Sequence, residues 1–132
     1  KLLKKFPKLK KINLEEEAIF KAWNELDACM DDLSSLTELE EITFLTLDNS
    51  HALKEFKKLK KCLALHVNEI TLTDEFVRDA KNIEIEFLHI SGTYYFEGEQ
   101  ISLLGELNQS IENIYIYDAF FVGNGDFSFL TN

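Results

Sequence analysis

Proline, cysteine and glycine are scarce in this chain, and their scarcity excludes several kinds of protein. Only one proline, two cysteines and five glycines occur among 132 residues. No Pro/Gly-rich linker or low-complexity tract is present, so we predict a single domain over residues 1–132. Cys29 and Cys62 match neither a disulfide framework nor a zinc-binding pattern. We expect both to be small buried apolar residues of a protein in a reducing compartment, which predicts a cytoplasmic location.

Long apolar runs are missing as well. No stretch approaches the roughly 18 consecutive apolar residues that a membrane span needs. No signal-peptide pattern opens the chain, although its first residue is Lys1 and not methionine. One alternative that therefore stays open is that the chain is a piece of a longer repeat protein.

Basic residues are absent from the last third of the chain. The net charge is −10, with 24 acidic and 14 basic residues, and no lysine or arginine follows Lys81. This balance argues against binding to nucleic acid or to an anionic membrane, because phosphates require basic partners. Most of the aromatic residues share that final stretch with the acids. We expect an acidic, aromatic-rich surface for a basic protein, unless the acids only confer solubility and the aromatics form core.

Apolar periodicity predicts helices that alternate with strands. The predicted helices are Leu14–Leu33, His51–Lys61, Thr73–Ala80 and Glu99–Ile111, and the predicted strands are Ile42–Leu47, Cys62–Val67, Ile83–Ile90 and Ile114–Val122. Such alternation implies an α/β fold whose parallel strands are joined by crossovers. Asn124-Gly125 predicts a tight turn followed by a closing strand. This C-terminal hairpin and the first helix would cap the two ends of the sheet.

The junction before each strand has the same pattern of apolar residues. It reads LKKINL from Leu9, LEEITF from Leu39, LKKCLA from Leu59, AKNIEI from Ala80 and IENIYI from Ile111, at separations of 30, 20, 21 and 31 residues. The pattern resembles the leucine-rich repeat family, whose units carry L-x-x-L-x-L at a period of roughly 20–29 residues.

The resemblance implies a short solenoid whose stacked units bury their apolar positions together. The core would then contain Leu9, Ile12, Leu14, Leu39, Ile42, Phe44, Leu59, Ala80, Ile83, Ile85, Ile111, Ile114 and Ile116. Two separations exceed the family's period, and the Asn or Cys that follows its strands is irregular here. The inward-facing residues of Cys62–Val67 stay ambiguous. The competing architecture is a compact α/β sandwich with a mixed sheet.

No catalytic motif is present: nucleophile elbow, phosphate-binding loop and HExxH are all absent. We therefore predict a non-enzymatic protein-interaction domain that needs no cofactor. The resemblance implies that outward strand positions line a concave partner-binding face. Tyrosine supplies rigid contact area there and acids attract a basic partner. The candidate partner-binding residues are His66, Glu84, Glu86, His89, Tyr115, Tyr117 and Asp118.

Two further functional hypotheses follow from the same residues. The small size, the acidity and the lack of an active site fit an inhibitor or immunity protein that masks a basic nuclease or toxin. Alternatively, His66 and His89 occupy similar places in consecutive strands and are expected to be neighbours. With nearby acids they would be the metal ligands of a metal-dependent hydrolase, although no third ligand is evident.

Overall fold

Five parallel strands form one sheet, and their order across the sheet follows their order in the chain. The computed structural model describes residues 5–13, 33–47, 52–68, 72–92 and 94–121. The sheet consists of β1 (Lys11–Ile12), β2 (Glu41–Leu47), β3 (Lys61–Asn68), β4 (Glu84–Ser91) and β6 (Asn113–Ile116). Two further strands, β5 (Tyr94–Phe96) and β7 (Ala119–Phe121), form a separate parallel pair. The fold is α/β as predicted, and the pairings between the described strands are all parallel.

Two α-helices, α1 (Asp74–Ala80) and α2 (Gly98–Asn108), connect the later strands. The Thr73 hydroxyl accepts a hydrogen bond from the Phe76 amide at 3.2 Å, so Thr73 is the N-cap of α1. Each helix buries an apolar face against the sheet core. No helix in the described ranges is long and apolar enough to cross a membrane.

The connection between β2 and β3 differs from its prediction. The helix expected over His51–Lys61 is a single 3-10 turn, Leu53–Glu55. The backbone leaves helical geometry at Phe56, where φ is −94° and ψ is 62°, and the Leu59 amide then bonds the Phe56 carbonyl at 3.0 Å. Successive three-residue turns bring side chains three apart onto one side. Leu53, Phe56 and Leu59 are accordingly buried, so the predicted core position of Leu59 is confirmed although the predicted helix type was wrong.

This three-residue spacing of buried residues continues into the strands and occurs twice, 20 residues apart. The first series is Leu33, Leu36, Leu39, Ile42 and Leu45; the second is Leu53, Phe56, Leu59, Cys62 and Leu65. Each series ends inside a strand, where alternation takes over and buries Leu47 and Val67. The ambiguity in β3 is thereby resolved: Cys62, Leu65 and Val67 point into the core.

The strand pairings correct the predicted alignment of the later junctions. Ile12, Ile42 and Cys62 align across β1, β2 and β3 as predicted. In β4, however, Ile85 and not Ile83 aligns with Cys62, and Ile114 of β6 aligns with Leu88. Burial does not distinguish Ile83 from Ile85, because both side chains are buried.

The predicted core residues occupy the core wherever the structure describes them. Eight are buried and four pack partly buried against them, namely Leu9, Ile12, Ile114 and Ile116. Cys62 is buried as predicted, and burial raises the pKa of its thiol to about 12, so the thiol stays protonated and unreactive. The positions of Leu14, Cys29, most of the predicted helix Leu14–Leu33 and the C-terminal hairpin lie outside the described residues.

The predicted strand Ile114–Val122 is interrupted. Asp118 adopts a φ of 56°, in the left-handed region that Asp tolerates better than most residues. The chain therefore leaves the large sheet after β6 and enters the smaller sheet as β7. The short strand β5, which pairs with β7, had not been predicted.

Lysines and glutamates alternate in sign along the start of the sheet. Lys10-Lys11, Glu40-Glu41 and Lys60-Lys61 occupy equivalent positions before or at the start of β1, β2 and β3. The Glu40 carboxylate lies 2.9 Å from the Lys10 ammonium and 3.0 Å from that of Lys60. The next level pairs Lys11 with Glu41 at 2.8 Å and Lys61 with Glu84 at 3.0 Å. Each exposed pair contributes little stability, but a one-residue slip of register would lose these pairings.

The stability of the fold at acid pH tests the ion pairs that Glu40 makes with Lys10 and Lys60. Hydrogen bonds from Lys10 and Lys60, reinforced by their charges, lower the pKa of Glu40 to about 2, below the roughly 4.3 of an unfolded chain. Its carboxylate therefore stabilises the fold above about pH 4, and that contribution is lost as pH falls through 2. We expect Glu40→Gln to lower the urea midpoint near pH 7, and the two proteins to converge toward pH 2. If the difference in urea midpoint between the wild-type chain and Glu40→Gln persisted unchanged at low pH, it would contradict the ion pairs assigned to Glu40.

Candidate functional site

One row of side chains crosses four strands on the face opposite the core. Thr46, His66, His89 and Tyr115 align in β2, β3, β4 and β6, and each alternates with buried core residues. His66 and His89 are neighbours, as predicted. Exposure rises along the row: Thr46 is 5% exposed, His66 is 8% exposed, His89 is half-buried and Tyr115 is 42% exposed. The accessible part of this outer face therefore lies at β4 and β6.

Three rings at this accessible end lie nearly parallel. The His89 and Tyr115 centroids are 4.9 Å apart with an interplanar angle of 15°. The Tyr117 ring, two residues further along, lies 6.2 Å from that of His89 at 5°. Phe87 extends the cluster, with its centroid 6.4 Å from that of Tyr115. Burial lowers the pKa of His89, so its ring is neutral near pH 7 and the cluster carries no positive charge.

His66 has a different environment from the other predicted site residues. Its Nε2 lies 2.7 Å from the Ser91 hydroxyl, which donates a hydrogen bond to the Asn68 side-chain oxygen at 3.4 Å. With the Ser91 proton directed at Asn68, His66 donates from Nε2 to Ser91. This buried link ties β3 to β4 where both strands end. The structure thus places His66 in the sheet's own hydrogen bonding, away from the accessible surface.

Ion pairing divides the candidate acids into two groups. Seven lysine–glutamate pairs join described residues, and one of them holds Glu84 to Lys61. Glu86 and Glu112 belong to none of those pairs, and both are exposed. Asp118 is exposed after the end of β6 and is likewise outside the described ion pairs. These three carboxylates therefore join no ion pair among the described residues, although the charge of Lys61 also attracts Glu86.

A groove of about 320 Å³ opens beside the aromatic rings. It is lined by residues of β3, β4 and the approach to β6: Lys61, Cys62, Leu63, Glu84, Ile85, Glu86, Ser110, Glu112 and Asn113. Phe87 aligns with Asn113, so Glu86 and Glu112, one residue earlier on each strand, stand at one level across the groove. The Asn113 side chain donates to the Glu86 carbonyl at 3.1 Å and fixes this edge. The groove thus carries Glu86 and Glu112 at one level, with Lys61 held by Glu84 elsewhere in its lining.

The structure brings together most of the predicted site and adds Glu112. Glu86, His89, Tyr115, Tyr117 and Asp118 all lie on β4, on β6 or just beyond it. Glu112 had not been singled out, because its position beside Glu86 follows from the pairing of β4 with β6. Its place in the acid-containing junction IENIYI was the only signal available in the sequence.

His66 and His89 belong to no metal-binding cluster among the residues that the structure describes. Within the ranges that the structure describes, no group of three or more His, Cys, Asp or Glu side chains converges in a way that could hold a metal ion. The described outer face therefore presents rings and carboxylates without an evident metal centre. Its chemistry suits non-covalent contact with a cationic surface.

Comparison with protein-family models, with curated proteins and with solved structures gave no significant match for this chain.

Proposed function

We propose that this chain is a non-catalytic protein-binding domain of leucine-rich-repeat-like architecture, and that the accessible end of its outer face binds a basic protein. The repeat assignment is supported by the two series of buried residues 20 residues apart and by parallel strands in chain order. The Glu84 amide also bonds the Lys60 carbonyl at 2.8 Å, as Lys60 does with Glu40 and Glu40 with Lys10. Equivalent bonds between successive units are what stacked repeats require.

The observation that carries the proposed function is the exposed tyrosine pair on the same strands as carboxylates that join no described ion pair. Tyr115 and Tyr117 are 42% and 49% exposed, whereas Phe44 and Phe96 are fully buried. Tyrosine is enriched in binding hot spots because it adds contact area with few rotatable bonds. The carboxylates of Glu86, Glu112 and Asp118 add attraction for a basic partner and faster association.

An inhibitor or immunity protein that masks a basic nuclease or toxin is the sharper form of this proposal. Such a protein needs no catalytic group, and its acids would compete for the cationic surface that the toxin uses. Glu86 and Glu112, which line the groove and join no ion pair among the described residues, support the inhibitor form of the proposal. A buried, unreactive thiol at Cys62 is compatible with action in a reducing compartment, and we propose the cytoplasm.

Affinity capture from the native source at two salt concentrations tests the function. We expect one stoichiometric basic protein at about 0.1 M salt and much weaker capture at about 1 M, because the Debye length falls from ~10 Å to ~3 Å. Glu86→Gln/Glu112→Gln should lose most of the capture at low salt.

The control variant Asp74→Asn/Glu99→Gln removes the same charge from exposed sites at the starts of the two helices. It should capture the partner like the wild-type chain. No captured protein, a salt-insensitive one, or equal loss in both variants would contradict the proposed surface.

A further inference from the structure

The tyrosine rings and the acidic groove form one continuous surface with two kinds of contact. Tyr115 aligns with His89 and Asn113 with Phe87, so the rings begin two residues beyond the level of Asn113. Asn113 itself lines the groove. A ligand segment that runs along β6 would therefore meet carboxylates at the level of Asn113 and ring faces further along the strand.

The near-parallel rings favour a planar group. The interplanar angles of 15° and 5° stack Tyr115 and Tyr117 on His89, so the ring faces left for a ligand are the exposed faces of the two tyrosines that turn away from His89. A flat cation can lie over such rings and gain both stacking and cation–π attraction. His89 is neutral near pH 7 and therefore does not repel it.

The two carboxylates favour a ligand group that carries several hydrogen-bond donors in a fixed geometry. Glu86 and Glu112 flank the groove at one level, where each can accept two hydrogen bonds from a single ligand group. No lysine of the described residues forms an ion pair with either. Guanidinium has five donors in a planar fork and matches carboxylates in pairs, whereas ammonium is a compact, strongly hydrated charge without a flat face.

We propose, on the basis of the protein-binding function above, that this surface recognises arginine side chains on an exposed segment of the partner and discriminates against lysine. One guanidinium lies over the exposed face of Tyr115 or Tyr117, and a second, at least three strand residues or roughly 10 Å away, donates to Glu86 and Glu112. The partner segment is therefore rich in arginine, and charge alone does not determine its binding.

Two probe peptides of equal length and charge test this preference: an oligoarginine and an oligolysine. At one fixed salt concentration, we expect the oligoarginine to bind the full chain about five-fold or more tightly, given the usual strength of exposed cation–π contacts. In Tyr115→Ala/Tyr117→Ala the ratio of the affinity for oligoarginine to the affinity for oligolysine should fall toward one. Tyr115→Phe/Tyr117→Phe retains the rings and should retain the preference. Glu86→Gln/Glu112→Gln should weaken both peptides.

Equal binding of the two peptides by the wild-type chain would overturn the arginine proposal, as would a preference that survives loss of both tyrosines. Failure of both peptides to bind would overturn it as well, even where a basic partner is captured from the native source. If a basic partner is captured but the chain shows no preference for arginine, only the arginine proposal fails and the protein-binding function stands. The two proposals can therefore be distinguished.

Discussion

Leu88→Ala is expected to lower the free energy of unfolding by about 2–5 kcal/mol, the range for removing a large aliphatic side chain from a packed core. Leu88 is fully buried, and it aligns with Leu65 of β3 and Ile114 of β6. These neighbours lie on strands held by backbone hydrogen bonds and cannot readily close the cavity. Because domains of this size are stable by only about 5–15 kcal/mol, the loss should be evident in urea or thermal unfolding.

Leu63→Ala is the matched control for this prediction. It deletes the same atoms from the neighbouring strand, but Leu63 is half-buried and lines the outer groove. We expect a loss of about 1 kcal/mol or less, because less apolar surface leaves the solvent at this position. Equal losses in the two variants, measured by urea denaturation, would contradict the assignment of the core face.

The sequence allowed the fold class and the core to be predicted because both follow from local patterns. Leu39 and Leu59 each lie two residues before a strand, and Thr73 has the hydroxyl of an N-cap. The register between neighbouring strands was less predictable. Ile83 and Ile85 are both apolar and both buried, so no local pattern identifies the one that aligns with Cys62.

The residue types of the site could be predicted from the sequence, but the residues that lie beside one another could not. Glu84 and Glu86 are equivalent in sequence, two residues apart on one strand. Only the neighbouring strand shows that Lys61 lies against Glu84 and that Glu86 stands beside Glu112. In the same way, His66 and His89 have similar flanking residues, but of these two histidines only His66 has a described hydrogen bond with the Ser91 hydroxyl.

Replacement of the two exposed tyrosines is expected to have the largest effect on binding. Tyr115→Ala/Tyr117→Ala removes two neighbouring aromatic anchors from the accessible end of the outer face. Aromatic hot spots commonly cost about 2 kcal/mol or more when truncated, so we expect at least a ~30-fold loss of affinity for the captured partner. Stability should change less than in Leu88→Ala, because about half of each ring is already exposed to solvent.

Phe6→Ala is the matched control, because Phe6 is 53% exposed and precedes β1 at the opposite edge of the sheet. The decisive measurement is the affinity of the captured partner for the wild-type chain, for the tyrosine variant and for this control, by calorimetry at one salt concentration. The proposed binding face predicts a large loss in the tyrosine variant and wild-type affinity in Phe6→Ala. Unchanged affinity in the tyrosine variant, with its unfolding curve intact, would contradict it.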